Sequence, residues 1–291
     1  MHDYKNYEQK FIQTSSGKIS YLETRDDGPV ALFVHGVIVN AHLWRHQLDE
    51  LAEIRRCIAI DLMGHGLTEI SPEQSVSFQA QAVMLAEFIE EMNLDQVDLV
   101  ANDSGVGIAQ IFAAYYPHLL RSLTLTNGDV YNNWPPKEFS DFLEEVNNGN
   151  LPKILGGMLD DKSNYRSADA LGGAYQYPET IPDHVINDYI APHLSSPQRT
   201  DALVRFIQAF DNLQTTAIEA KLRELEVPTL IVWGTGDIFF DVKWAHWLEK
   251  NIPSVVALKY LEDARLLFPE ERYEEFNELL RDFFLQQTTF F

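Results

Sequence analysis

Basic residues are scarce in this chain. Its 291 residues include 22 Lys and Arg against 44 Asp and Glu, a formal net charge of -22. Binding a nucleic acid needs Lys and Arg to displace counterions from the phosphates, and docking on an anionic membrane needs the same charge. Both partner classes are therefore excluded. The acidity reads as a solubility device rather than as a cation-seeking entrance. Cysteine is nearly absent: Cys57 alone occurs, inside the apolar run Cys57-Ile58-Ala59-Ile60, and reads as a buried strand residue. A lone thiol forms no intrachain disulfide, in keeping with a reducing cytosol. Met1 to Lys10 is polar and charged, without the apolar core of a signal peptide. No apolar run reaches the roughly 20 residues of a membrane span. The expectation is a cytoplasmic protein with a small-molecule substrate and no membrane partner; the sequence leaves the oligomeric state open. No dinucleotide or phosphate-loop glycine pattern occurs, and the nine His fall at no metal-ligand spacing, so neither cofactor nor metal is expected.

What is present is an alternation of strand and helix patterns. The predicted strands are 18–23, 30–34, 57–61, 97–101, 122–127, 229–233 and 255–260. The predicted helices are 42–54, 78–92, 105–116, 241–251 and 270–284. Such alternation implies a mostly parallel sheet covered by helices on both faces, an α/β architecture. Between Val130 and Glu226 the strand pattern stops and helical segments over 137–146, 183–190 and 197–210 follow Pro135 and Pro136. The expected organisation is a core domain from residues 1–130 and 227–291 with a helical cap from 131–226. The polar end Gln286–Phe291 is expected to fray.

The segment Asp98-Leu99-Val100-Ala101-Asn102-Asp103-Ser104-Gly105 carries the chemistry. An apolar strand runs into small residues and then directly into a helical pattern. A strand-turn-helix this tight needs small residues two before and two after its apex. Ala101 and Gly105 supply them around Asp103. An apex at Ser104 would put β-branched Val106 where the turn wants glycine. The plainer alternative is that Asp103 only caps the following helix.

The surroundings resemble the α/β-hydrolase fold over nearly the whole chain. Val30-Ala31-Leu32-Phe33-Val34-His35-Gly36 is similar to the family's strand ending in a His-Gly oxyanion loop. Asp61-Leu62-Met63-Gly64-His65-Gly66 is similar to its Asp-x-x-Gly-x-Gly turn. Residues 228–237, ending in Gly234-Thr235-Gly236-Asp237, are similar to the strand that delivers the acid of its triad. The resemblance implies Asp103 as elbow nucleophile, the backbone N–H groups of Val37 and Ser104 as oxyanion hole, and Asp237 as the acid that orients a base. An aspartate elbow marks the branch of haloalkane dehalogenases and epoxide hydrolases.

The chain departs from that branch at several points. Dehalogenases carry Trp after the nucleophile and many carry Asn after His-Gly, where this chain has Ser104 and Val37. Epoxide hydrolases show His-Gly-x-Pro, where this chain has Ile38, and two cap tyrosines; Tyr165, Tyr175, Tyr177 and Tyr189 lie in the expected cap. The largest departure is the base. The family His belongs near Asp263-Ala264-Arg265-Leu266-Leu267-Phe268-Pro269-Glu270, yet no His follows Ser254. Arg265 or Leu266 takes its position, and an arginine stays protonated. His35, Asn102, Asn127, Asp129, Arg265 and Leu266 are the further candidates for the pocket. The expected function is that of a cofactor-independent hydrolase-fold enzyme acting on a small, largely apolar substrate, with Asp103 as nucleophile and an atypical base. The alternatives are a lyase, isomerase or cyclase using Asp103 for proton transfer, and an inactive ligand-binding homologue.

Overall fold

A computed structural model describes residues 7–288 of the chain. Its centre is one sheet of eight strands, β1 (Lys10–Gln13), β2 (Lys18–Glu23), β3 (Val30–Val34), β4 (Arg56–Ile60), β5 (Val97–Asp103), β6 (Leu120–Gly128), β7 (Thr229–Gly234) and β8 (Val255–Leu261). They lie in the order β1-β2-β4-β3-β5-β6-β7-β8. β1 and β2 join antiparallel, and every pairing from β4 to β8 is parallel. β3 and β5 are buried along their whole length, which is why Val30-Ala31-Leu32-Phe33-Val34 reads as a continuous apolar run rather than an alternating one. From β3 the chain passes to β4 on one side and later to β5 on the other. A crevice opens beyond the carboxyl ends of the strands at such a reversal.

The helices are α1 (Arg45–Leu51), α2 (Phe78–Glu91), α3 (Ser104–Tyr115), α4 (Ser140–Asn147), α5 (Leu151–Asp160), α6 (Lys162–Arg166), α7 (Asp183–Leu194), α8 (Pro197–Gln208), α9 (Leu213–Thr216), α10 (Glu219–Leu222), α11 (Lys243–Asn251), α12 (Phe268–Glu271) and α13 (Tyr273–Thr288). α2 packs on α3, and α1 packs on α13. Helices α4 to α10 form one inserted segment between β6 and β7.

The structure differs from the sequence expectation in several elements: α5, α6, α9 and α10 lie outside the helical segments expected between β6 and β7, and three differences fall in the core. The helix expected over 42–54 is a 3₁₀ turn (Ala41–Trp44) followed by a short α1. The Asn40 side chain accepts from the His42 N–H and fixes the tight turn. At the other end the buried Arg55 guanidinium reaches Asp98 at 2.7 Å and draws the chain into β4. The helix expected over 270–284 is broken between α12 and α13, because Pro269 opens one helix and Glu270 turns inward to Arg45. The short edge strand β1 was not expected. Gln286 to Thr288 continue α13, while the rest of the terminus expected to fray lies outside the described residues.

Candidate active site

Asp103 closes β5 and precedes α3 with φ 57° and ψ -129°. That conformation is costly for a residue with a Cβ and persists only where its surroundings enforce it. Here they do. The Asp103 carbonyl accepts the Asp129 N–H at 3.3 Å, and the Val37 N–H donates to Asp103 Oδ2 at 2.8 Å. The side chain makes no capping bond to α3, so its carboxylate is not consumed as a cap. Two glycines make the approach possible. A Cβ on Gly36 would stand 2.1 Å from Asp103 Oδ2, and one on Gly105 would stand 2.6 Å from the Val34 carbonyl oxygen. Ser104 is the first residue of α3 and almost wholly buried.

Above Asp103 lies a cavity of about 540 Å³, lined from below by Val37, Asp103, Ser104, Asp129 and Leu266. Its walls come from the inserted segment and the loop after β7, among them Trp134, Phe139, Phe142, Phe210 and Phe240. A larger concavity of about 760 Å³ sits at the opposite edge, around Gln96, Leu120 and Pro228. Those residues flank the amino ends of β5, β6 and β7, the wrong edge for ligands of a parallel sheet.

Three carboxyl groups titrate abnormally around Asp103. Burial pushes Asp103 up to about 6, against the stabilising Val37 and Ser104 N–H groups. Burial pushes Asp129 well above the carboxylate range, and the Asp103 charge pushes it further. Asp129 is fully buried; the Ser104 and Trp134 side chains approach its carboxyl as donors, yet neither oxygen takes part in a hydrogen bond of full geometry. Burial of this kind favours the protonated form. Burial also lifts Asp237 to about 7. It accepts from Asn127 Nδ2 at 2.7 Å and from the Phe239 N–H at 2.8 Å.

The other candidates stand behind the cavity wall rather than in it. His35 is fully buried. Its Nδ1 donates to the Gly36 carbonyl at 2.7 Å and its Nε2 accepts the Leu62 N–H at 3.0 Å. That tautomer ties the loop after β3 to the loop after β4. Asn127 holds Asp237, and Asn102 holds the loop around Leu266, since its Nδ2 donates to the Leu266 carbonyl at 2.8 Å. Arg265 does not face the Asp103 carboxylate. Its guanidinium donates to the Gly173 carbonyl in the inserted segment at 3.2 Å. Between these ties, Leu266 puts an apolar side chain into the cavity where an imidazole was sought.

Sequence reasoning missed a buried polar cluster between the inserted segment and the core. Tyr175 and Tyr189 each donate to Glu270 Oε2 at 3.0 Å, and Glu270 pairs with Arg45. Tyr165 meets Tyr175, hydroxyl to hydroxyl, at 2.9 Å. These three tyrosines are thus engaged outside the cavity lining. The signal was the burial-prone spacing of Tyr165, Tyr175 and Tyr189, which says nothing about their distant partner. A second tie is His193 on α7, whose Nε2 donates to the Ile38 carbonyl at 2.7 Å. Ile38 has φ 70°, a strained value for a β-branched residue, next to the Val37 N–H.

Among the described residues no group of three His, Cys, Asp or Glu could hold a metal, and no helix is long and apolar enough to cross a membrane. A family model described as alpha/beta hydrolase fold matches residues 29–265. Epoxide hydrolase 1 of Caenorhabditis elegans is 26% identical over 290 residues, 96% of this chain and 70% of the relative. A haloalkane dehalogenase of Mesorhizobium japonicum is 34% identical over 105 residues, 36% of this chain and 34% of the relative. The solved haloalkane dehalogenase of Bradyrhizobium elkani has a TM-score of 0.78 at 21% identity, covering 98% of this chain and 99% of its own. At that identity the likeness is one of fold.

Proposed function

Since the chain belongs to the α/β-hydrolase fold family, we propose that it is an enzyme acting on a small, largely apolar substrate, with Asp103 as the nucleophile and the inserted segment as its cap. The observation that carries this reading is the Asp103 carboxylate, exposed to the cavity floor with one oxygen on the Val37 N–H. The other oxygen is left to attack an electrophilic carbon. The Val37 and Ser104 N–H groups then hold the carbonyl oxygen of the resulting ester and steady the charge that builds there when water attacks.

Asp129 supplies the proton transfer in this scheme. Acting from its protonated form, it gives a proton to a leaving oxygen; ionised by that step, it takes the proton of the attacking water. Asp237 is the second carboxyl within electrostatic reach of Asp103. Opening of an epoxide suits this floor better than dehalogenation, because Val37 and Ser104 offer no side-chain N–H to a departing halide. The test is multiple turnover of an epoxide such as styrene oxide in ¹⁸O-labelled water, followed by peptide mass spectrometry. Label entering the Asp103 side chain, and its loss in Asp103→Asn, are the expected results. Turnover that never labels Asp103 would overturn the covalent scheme. Conversion of the epoxide to an isomeric carbonyl compound, with no label in product or in Asp103, would favour the second reading, a non-hydrolytic lyase, isomerase or cyclase with Asp103 in proton transfer. The apolar Leu266 beside Asp103 supports that reading, since such chemistry needs no activated water.

A further inference from the structure

The charge of the cavity lining points to a class of ligand. Six titratable side chains line it: Asp103 and Asp129 on the floor, and Glu138, Asp141, Glu145 and Asp169 towards solvent. No Lys, Arg or His lines it. The four outer carboxylates are exposed, and none of them is in an ion pair among the described residues. Glu145 accepts a hydrogen bond from Asn150 at 2.6 Å, and Lys153 lines an adjoining groove together with Glu145 without forming an ion pair with it.

Surface acids alone would follow from the overall composition. Asp129 does not, because it is fully buried, lines the cavity and has neither oxygen in a hydrogen bond of full geometry, with only the loose approach of the Ser104 and Trp134 side chains. A buried carboxyl without partners is costly, and a ligand that supplies a donor removes that cost. The walls between rim and floor are aromatic, with Trp134, Phe139, Phe142 and Phe210 in the lining and packed on one another. Aromatic faces attract a cation and also accommodate an apolar body. Like-charged walls of low polarity focus the field along the entrance.

We infer that the cavity selects a substrate bearing a positive charge, a protonated organic amine with an apolar body, over neutral and anionic molecules of the same size. This deepens the proposed reading of the site and rests on the same cavity being the place where substrate binds. The ammonium would sit between the aromatic walls and the carboxyl groups, with the apolar part against Leu266 and Phe240.

Calorimetric titration of the whole chain with three one-ring probes tests the inference: benzylammonium, benzyl alcohol and benzoate, at about pH 8 and low salt. The cation should bind about tenfold tighter than the alcohol, with benzoate weakest. Raising the salt to about 0.5 M should erode the preference severalfold, because exposed charges are screened. A chain carrying Glu138→Gln, Asp141→Asn, Glu145→Gln and Asp169→Asn should lose most of the preference and keep its affinity for benzyl alcohol. Equal binding of cation and alcohol, or tighter binding of benzoate, overturns the inference. Binding is read without turnover, so the two readings fail separately. Cation preference without label in Asp103 removes the covalent scheme alone; labelling of Asp103 by a neutral substrate without cation preference removes this inference alone.

Discussion

At the scale of single residues, Asp103 is a carboxylate kept where it is expensive to keep one. Its pKa is raised from 3.8 to about 6 by burial. The native state therefore holds the proton more tightly than the unfolded chain. The cost of the group is absent below about pH 4 and fully present above about pH 7, so its contribution to stability falls as pH rises through that window. Asp103→Asn removes the charge and keeps an acceptor for the Val37 N–H. It should stabilise the protein by about 1–3 kcal/mol at pH 7.5 and by almost nothing at pH 4. Denaturant titrations at the two pH values check this; an advantage independent of pH would refute the electrostatic account. If Asp103 attacks as the ionised group, kcat/KM should rise with pH through about 6. A kcat/KM that falls there would refute the nucleophile assignment. Gly36 is the steric counterpart. Gly36→Ala places a methyl 2.1 Å from Asp103 Oδ2 and should cost about 2–4 kcal/mol with a large loss of activity. In an Asp103→Gly background, which also removes the Cβ 2.3 Å from that methyl, the same methyl should cost much less in stability, so a double-mutant cycle isolates the clash.

At the scale of elements, the inserted segment is fastened to the core through polar contacts as well as apolar ones. Glu270 on α12 gathers Arg45, Tyr175 and Tyr189 from the two sides. Glu270→Gln removes the carboxylate that Arg45 faces and should destabilise the protein by on the order of 3 kcal/mol. Hydrogen exchange in α6 and α7 should rise more than exchange in β5, because the loosened contact is with the inserted segment. Equal changes in both regions would contradict the role assigned to Glu270. His193 on α7 acts on the loop after β3 through the Ile38 carbonyl. Backbone strain at Ile38 is thus held next to the N–H that meets Asp103.

At the scale of the whole molecule, a net charge of -22 makes the folded chain repel itself. Screening should relieve this, so Tm should rise by several degrees between about 10 mM and 0.5 M NaCl. A flat or falling Tm would mean that local pairs outweigh the long-range repulsion. The same acidity is uneven in its consequences. Most of it solvates the surface, whereas the part that lines the cavity has a ligand to select.

The sequence by itself determined the sheet and the elbow. Val30–Val34 is an apolar run, Val97–Ala101 is one interrupted only by Asp98, both suit a doubly covered parallel sheet, and Ala101 and Gly105 leave room for a turn centred on Asp103. These are local requirements of backbone geometry and burial, written in neighbouring residues. Tertiary structure alone decided which side chains face the cavity. Arg265 and Leu266 are adjacent and equally plausible on paper, yet Asn102 below and Gly173 above hold the loop so that Leu266 points in and Arg265 points away. Asp129 is one pocket candidate among six on paper, and only the closing of Trp134 and Ser104 around it makes it a buried acid. Glu270 and Tyr175 lie 95 residues apart and meet through the docking of the inserted segment. Desolvation and side-chain direction depend on what the rest of the chain brings alongside, and no stretch of sequence contains that information locally.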